Sequence, residues 1–500
     1  MSEEWCIEQL AKLQIKESRL DTLNEIRAAL SNVGANEVNV SAQFLALLDS
    51  IDDYRDSPEQ CQVTCDILSM CMSNLNIDHT EKVSYCDYLE KCLLHKNDDV
   101  KVLALNYIER QLKDVSGNEL PVSMNNLYQS NMMIALVNCL ECEGTGVATT
   151  ATTILLKLLP KAINDKSIKN RLEHILCGKD LVRCRVYELG VKLSQASVKN
   201  QEKFNFILEK LVADLDTDDI LLKLNILYLT SDLAQTDYGH IYMENKAVFT
   251  KVLREIELLD ENPFKSILVP GYLKFFGQIA TVQPAKIIQG FSGMINSLFD
   301  CILDENVSAL PVAFDTFGHL GRSAEGKMLL DECHSARMHE VLNDIGKSIY
   351  NLPTPLKVRA LNALETLFQC DEANASNNQI SSITEQWFKS LTGTNQLTFV
   401  QEFCRNPFSE IKTAALALLR SICVYAWGQR ALSNTAGFIE YLLDRNSEVN
   451  KDVLHEKYSI IRTIANSREF DENTSRQINQ YVKDGVFYIQ GQMEVAIEGS

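Results

Sequence analysis

The chain has no apolar run approaching the roughly 20 residues that a membrane-crossing helix needs. Its 10 prolines and 21 glycines gather nowhere into a linker that would divide 500 residues into separate domains. Stretches alternating apolar and polar residues with period two are scarce, which argues against strands and for a chain that is almost wholly α-helical. The opening M-S-E-E-W is acidic and lacks the positive and apolar segments of a secretory signal, so a soluble intracellular protein is expected, in the cytoplasm with the nucleus as a second compartment. Positive charge is in deficit: 48 Lys and Arg against 67 Asp and Glu give a formal net charge of −19. That field repels nucleic acid and acidic membrane surfaces and favours partners with basic patches.

What the chain does have is a repeat. The pattern V-R-C-R-V-Y-E-L-G at 182–190 recurs by residue type about every forty residues. An apolar anchor after an acidic, Pro or Gly-containing turn is followed by apolar residues four, seven and eight places later, one face of a helix. Val147, Val182, Ile220, Leu356 and Ile411 fit fully, and Val63 and Val100 fit nearly as well. Ile267 and Val307 fit with lapses at Lys274 and Asp315, and with Pro270 and Pro311 in the first turn. Position four is compact (Ala104, Ala151, Val186, Gly271, Ala360, Ala415), which lets helix axes approach closely. A second marker keeps the same frame: Gly239, Gly326 and Gly428 each follow an apolar residue six places earlier (Leu233, Leu320, Ile422), predicting helix end, turn and next helix.

The expectation is an all-α, armadillo/HEAT-type right-handed α-solenoid, a single elongated domain. Residues 1–50 are expected to form an N-terminal helical cap, 51–435 the repeat array, 436–484 a C-terminal cap and 485–500 a non-helical tail, with polar loops at 31–40 and 371–379. The fifteen cysteines, an odd number scattered over helix faces (Cys61, Cys65, Cys71, Cys184, Cys423), suit thiols packing as small apolar groups in a reducing compartment.

Candidate chemistry is thin. Gly321–Lys327, G-R-S-A-E-G-K, matches the first seven positions of a phosphate-binding loop, but Met328 stands where a hydroxyl should hold magnesium and the preceding segment reads as helix instead of strand. Cys139 and Cys142 form one C-x-x-C, with Cys177 three residues after His174, and no second knuckle completes a zinc site. Cys333, His334 and His339 cluster in a turn region, and Asp315 precedes His319 by one helical turn, without a nucleophile or oxyanion site beside them. These readings predict no catalytic, metal or cofactor site. Basic residues just past the anchors (Lys101, Arg183, Arg185, Lys223, Lys357, Arg359, Lys412) either face a partner or pair with acids such as Asp98, Asp180 and Asp218.

Several blocks resemble one family, the 26S proteasome non-ATPase regulatory subunit 5: D-L-V-R-C-R-V-Y-E-L (180–189), L-V-P-G-Y-L-K-F-F-G-Q-I-A (268–280), D-T-F-G-H-L-G-R-S-A-E-G-K (315–327), W-F-K-S-L (387–391), G-F-I-E-Y-L-L-D-R (437–445) and the tail with V-A-I-E-G. They span about two thirds of the chain in order; the first 130 residues match only loosely. The resemblance implies a non-enzymatic assembly chaperone of the proteasome base. It would hold the C-terminal domains of ATPase-ring subunits with a large non-ATPase scaffold subunit, be released before the mature particle forms, and be a monomer when free. Partner contacts are expected at Arg183, Arg185 and Glu188, for charge density on a groove helix, and at Lys274, Phe275, Phe276 and Asp315, which break the burial pattern. An armadillo-type adaptor or cargo receptor is the alternative, but Trp5, Trp387 and Trp427 form no ladder and Asn225 and Asn362 stand isolated.

Overall fold

The computed structural model describes residues 3–31, 44–51, 57–74, 82–113, 122–259, 262–304, 308–393, 396–445, 448 and 450–487. The anchor expected at Val307, the loop at 32–40 and the tail from Tyr488 onward lie outside the described residues. Within them every regular element is an α- or 3-10 helix. No single described helix is long and apolar enough to cross a membrane. Ser409–Ile422 and Ala426–Ser433 qualify only as a pair bent by 120°, and most of their apolar side chains are buried.

Contacts divide the chain into two compact units, Met1–Thr217 and Asp218–Ser500. In the first unit, helices Arg19–Ser31, Pro58–Asn74, Asp98–Lys113, Thr145–Ala162 and Asp180–Ser194 pack each on the next to form one layer, and Lys82–Leu94, Ser130–Asn138 and Lys166–Ile175 form a second. In the second unit the first layer is Ile220–Leu233, Lys265–Ala280, Leu310–Leu320, Thr354–Phe368, Ser409–Ile422 and Lys451–Ile464. Pro284–Gly290, Ala324–Ser348, Asn378–Thr392 and Ala426–Ser433 form its second layer. Each helix pair touches chiefly its neighbours, so no repeat has a core of its own: this is an all-α solenoid of the armadillo/HEAT type.

The apolar periodicity sets the buried face. Val147, Val182 and Ile411 are buried with the residues four, seven and eight places later. Two anchors are corrected. In Ile220–Leu233 the buried set starts at Leu222 and continues through Ile226, Leu229 and Thr230, leaving Leu221 and Tyr228 exposed. In Lys265–Ala280 it starts at Leu268 and continues through Tyr272, Phe275 and Phe276, leaving Ile267 exposed. Leu310, Phe314, Phe317 and Gly318 make the same set in the next helix. Ile220–Leu233 is apolar nearly all round, so its sequence admits more than one register; the Asp219 carboxylate accepting from Leu222 N at 2.9 Å starts the helix so that Leu222 turns inward.

The glycine marker has a steric cause. Helices end at Leu233, Leu320 and Ile422, and the next begin at Asp237, Ala324 and Ala426. A Cβ on Gly239, Gly326 or Gly428 would stand 2.0, 2.2 and 2.2 Å from the carbonyl oxygen of that final residue, so only glycine allows so tight a corner. Thr236 Oγ1 and Ser323 Oγ cap the new helices by accepting from Gly239 N at 3.1 Å and Gly326 N at 2.9 Å.

A recurrent clamp ties one repeat to the next. Arg183 Nη1 lies 2.7 Å from Asp214 Oδ2, which also accepts from Tyr187 OH at 2.6 Å. Lys223 Nζ lies 2.9 Å from Glu255 Oε1, with Tyr272 OH on the other carboxylate oxygen. Lys412 Nζ reaches both oxygens of Glu448 at 2.8 and 2.9 Å, joined by Tyr441 OH at 3.4 Å. In each case a cation one position past the buried anchor of a first-layer helix meets a carboxylate some thirty residues later, just before the next such helix. A tyrosine donor fills a remaining lone pair of the carboxylate, as a partly buried pair requires.

Candidate partner-binding surface

The residues expected to meet a partner divide into three groups. Phe275 and Phe276 are 1% and 0% exposed, packed edge to face at 5.1 Å and lying at a tilt against Phe249 and Phe291. They are core and cannot touch a partner, because the corrected register places them seven and eight residues after Leu268. Arg183 and Arg185 are engaged within the fold: Arg183 by Asp214 and Asp180, and Arg185 by the Leu140 and Cys142 carbonyls at 2.8 and 2.7 Å. Glu188 is partly exposed and pairs along its own helix with Lys192 at 2.5 Å. Lys274 and Asp315 do face outward, because they break the core pattern.

These last two belong to a row that crosses four successive first-layer helices of the second unit. Lys274 Nζ sits 4.8 Å from the centre of the Tyr228 ring, a cation–π contact. Asp315 Oδ1 lies 3.5 Å from Arg359 Nε, with both side chains nearly half exposed. Partial burial pushes the Asp315 carboxyl above its ordinary value, while Arg359, His319 and Lys274 pull it back. Farther along the layer, Arg420 joins Glu456 at 3.2 Å and Glu365 at 4.0 Å. Leu221, Phe264 and Ile267 add exposed apolar surface at the N-terminal ends of the first two of these helices. Tyr228 and Leu221 escaped sequence reasoning because the register taken from Ile220 put Tyr228 in the core; Arg359 was visible only as one basic residue among several.

The remaining motifs resolve into packing. Lys327 is fully buried, and its ammonium donates to Gly321 O at 2.8 Å, Arg322 O at 3.0 Å and Gln369 O at 2.8 Å. It closes the ends of two first-layer helices, and a cation at a helix C-terminus is favourable. Burial pulls its pKa down to about 8. Lys457 repeats the device on Tyr441 O at 2.8 Å and Asp444 O at 3.2 Å. His334 stands at a bend inside Ala324–Ser348, against the Phe299 ring, while His339 Nδ1 meets Ser390 Oγ at 2.7 Å, so the cluster read from sequence faces two different neighbours. His319 and Asp315 are electrostatic neighbours on one helix; burial lowers the imidazole and the carboxylate raises it. Among the described residues no three His, Cys, Asp or Glu side chains converge to hold a metal ion.

Residues 2–500 match the family described as proteasome non-ATPase 26S subunit. The 26S proteasome non-ATPase regulatory subunit 5 of Drosophila melanogaster is 29% identical over 506 residues, covering 100% of this chain and 99% of that protein. The Homo sapiens protein of the same name is 27% identical over 503 residues, covering 97% of each. Among solved structures, Kap121p aligns with 96% of this chain and 49% of its own at 13% identity and a TM-score of 0.48. The family match runs unbroken through both units, including the N-terminal 130 residues where the sequence blocks were loosest, and the chain belongs to the proteasome non-ATPase 26S subunit family.

Proposed function

We propose that this chain is a non-catalytic assembly chaperone of the proteasome regulatory-particle base. It holds C-terminal domains of ATPase-ring subunits, together with a large non-ATPase scaffold subunit, in an intermediate, and leaves before the mature particle forms. One observation carries the reading: the end-to-end likeness to proteins named 26S proteasome non-ATPase regulatory subunit 5. The Tyr228, Lys274, Asp315 and Arg359 row supplies a surface for it, since these side chains are left on the outside after the repeats have packed. A stack of rigid helices offers such a row with little ordering cost on binding, and a specific complex should bury more than about 1,000 Å² there. The non-catalytic part rests on Lys327, the one P-loop-like lysine, being held by three backbone carbonyls. The proposed compartment is the cytoplasm, with the nucleus as a second.

Affinity purification of the full chain from cell extract, with identification of bound subunits, tests the reading. ATPase-ring subunits and a large scaffold subunit are expected; recovery of nuclear-transport factors in their place overturns it. For the surface, Lys274→Glu with Arg359→Glu is the informative variant. Arg185→Glu is not, because it would strip two helix-end carbonyls of their donor.

A further inference from the structure

Cys139 begins the short 3-10 turn Cys139–Glu141 and Cys142 caps its end, with Cys142 N donating to Cys139 O at 3.3 Å. Side chains at i and i+3 of such a turn eclipse, and three residues at about 2 Å rise place the two Cα atoms about 6 Å apart, a separation that a disulfide accepts. The two sulfurs have different surroundings. Cys139 is fully buried, its thiol donates to Ala135 O at 3.4 Å, and burial, followed by the neighbouring Cys142, pushes it up to about 12. Cys142 is half-buried, and its Sγ stands 3.1 Å from Lys101 Nζ, which also holds Asp98 Oδ1 at 2.9 Å. Arg185 fixes the Cys142 carbonyl from the first-layer helix that follows. The ammonium thus holds the accessible sulfur of Cys142, and the buried thiol three residues away is placed to resolve it.

We infer that Cys142 and Cys139 are a redox pair: hydrogen peroxide oxidises Cys142, and Cys139 then closes a reversible Cys139–Cys142 disulfide. In the first step the Cys142 thiolate attacks one peroxide oxygen. The S–O bond forms, the O–O bond breaks, and the leaving hydroxide takes up the proton that the thiol had released, giving water. In the second step the Cys139 sulfur displaces the hydroxyl from the sulfenic acid. The S–S bond forms, the S–O bond breaks, and the Cys139 proton leaves with the hydroxide as a second water. Two electrons from the two sulfurs thus reduce one peroxide to two waters. Lys101 acts as a positioning residue for the thiolate. Removing its ammonium takes away the donor that holds the attacking sulfur at 3.1 Å and slows the first step.

The test exposes the full chain to hydrogen peroxide, alkylates the remaining thiols and maps the peptides, with the exposed Cys177 and Cys333 as internal references. Cys139 and Cys142 are expected to lose alkylation together, ahead of both references, and to regain it with dithiothreitol. Cys139→Ser should leave a dimedone-reactive sulfenic acid at Cys142. Lys101→Met should slow the reaction and Lys101→Arg should restore it. Should Cys139→Ser fail to fold, the joint loss and recovery in the native chain still decides. Cys142 oxidising no faster than the references, or Cys139 staying alkylatable while Cys142 is oxidised, overturns the inference.

Discussion

Replacing Lys327 by Met keeps the length and apolar stem of the side chain and deletes only the ammonium. That group links Gly321 O and Arg322 O, at the end of one first-layer helix, to Gln369 O at the end of the next. The variant leaves three carbonyl oxygens without that donor, and stranding partly buried acceptors costs about 1–3 kcal/mol. The pH dependence adds a second signature. Burial lowers this lysine from 10.5 to about 8, against the pull of Cys370 and Asp371. A folded pKa below the unfolded one means that the folded state releases its proton first. Stability therefore rises as pH climbs from about 8 towards 10.5 and is lost as pH falls through 8, by up to about 3 kcal/mol. Met at 327 cannot titrate, so the gap between native chain and variant widens over that window; Lys457, also drawn down to about 8, keeps a slope of its own in both. Trp387 and Trp427 both lie in the second unit and are buried, so their fluorescence reports unfolding where the change is made. Urea midpoints at pH 7.5 and 9.5 decide the matter. A folded K327M within about 1 kcal/mol of the native chain at the lower pH would refute the bracing role. If that folded variant also lost a saturable ATP affinity shown by the native chain, the phosphate-loop reading would return.

The Gly326→Ala substitution forces a methyl group to within 2.2 Å of Leu320 O and should cost about 1–3 kcal/mol; an unchanged melting midpoint would show that the corner can open. Phe276→Ala should cost about 3–5 kcal/mol in the same fluorescence assay and reduce partner capture only in proportion to lost folded protein. Capture abolished in fully folded F276A would put that ring at the interface after all. Lys274→Glu should leave stability within about 0.5 kcal/mol, as a surface change, while weakening capture of ATPase-ring subunits; equal capture at equal concentration would remove Lys274 from the surface. Lys412→Met should cost about 3–5 kcal/mol by stranding Glu448, and adding Glu448→Gln should recover part of the loss; simple additivity of the two would argue against the clamp.

The helical period and the glycine corners were readable because each depends on chemistry local to one stretch of chain. A carbonyl oxygen six residues back leaves no room for a Cβ, and that requirement is written in the residue itself. The register of Ile220–Leu233 was not readable, since leucine or isoleucine occupies Ile220, Leu221, Leu222, Leu224, Ile226, Leu227 and Leu229, and only docking against the neighbouring helix chooses among them. The same slip left Phe276 off the face that it in fact helps to form, yet it correctly set Lys274 and Asp315 apart from the core. The basic residues past the anchors were ambiguous for a different reason. Asp98 and Asp180 do pair with Lys101 and Arg183, but the carboxylates that complete the clamps, Asp214, Glu255 and Glu448, stand some thirty residues away and become neighbours only once repeats stack.

The cations that brace the repeats have a consequence for how other molecules arrive. Arg183, Lys223 and Lys412 face carboxylates, and Lys327 and Lys457 spend their charge on backbone oxygens, so none of the five offsets the net charge of −19 at the surface. Encounter with a basic protein surface should then be electrostatically steered, quick in dilute buffer and slowed once added salt shortens the Debye length below about 8 Å, whereas polyanions are turned away at the same distance.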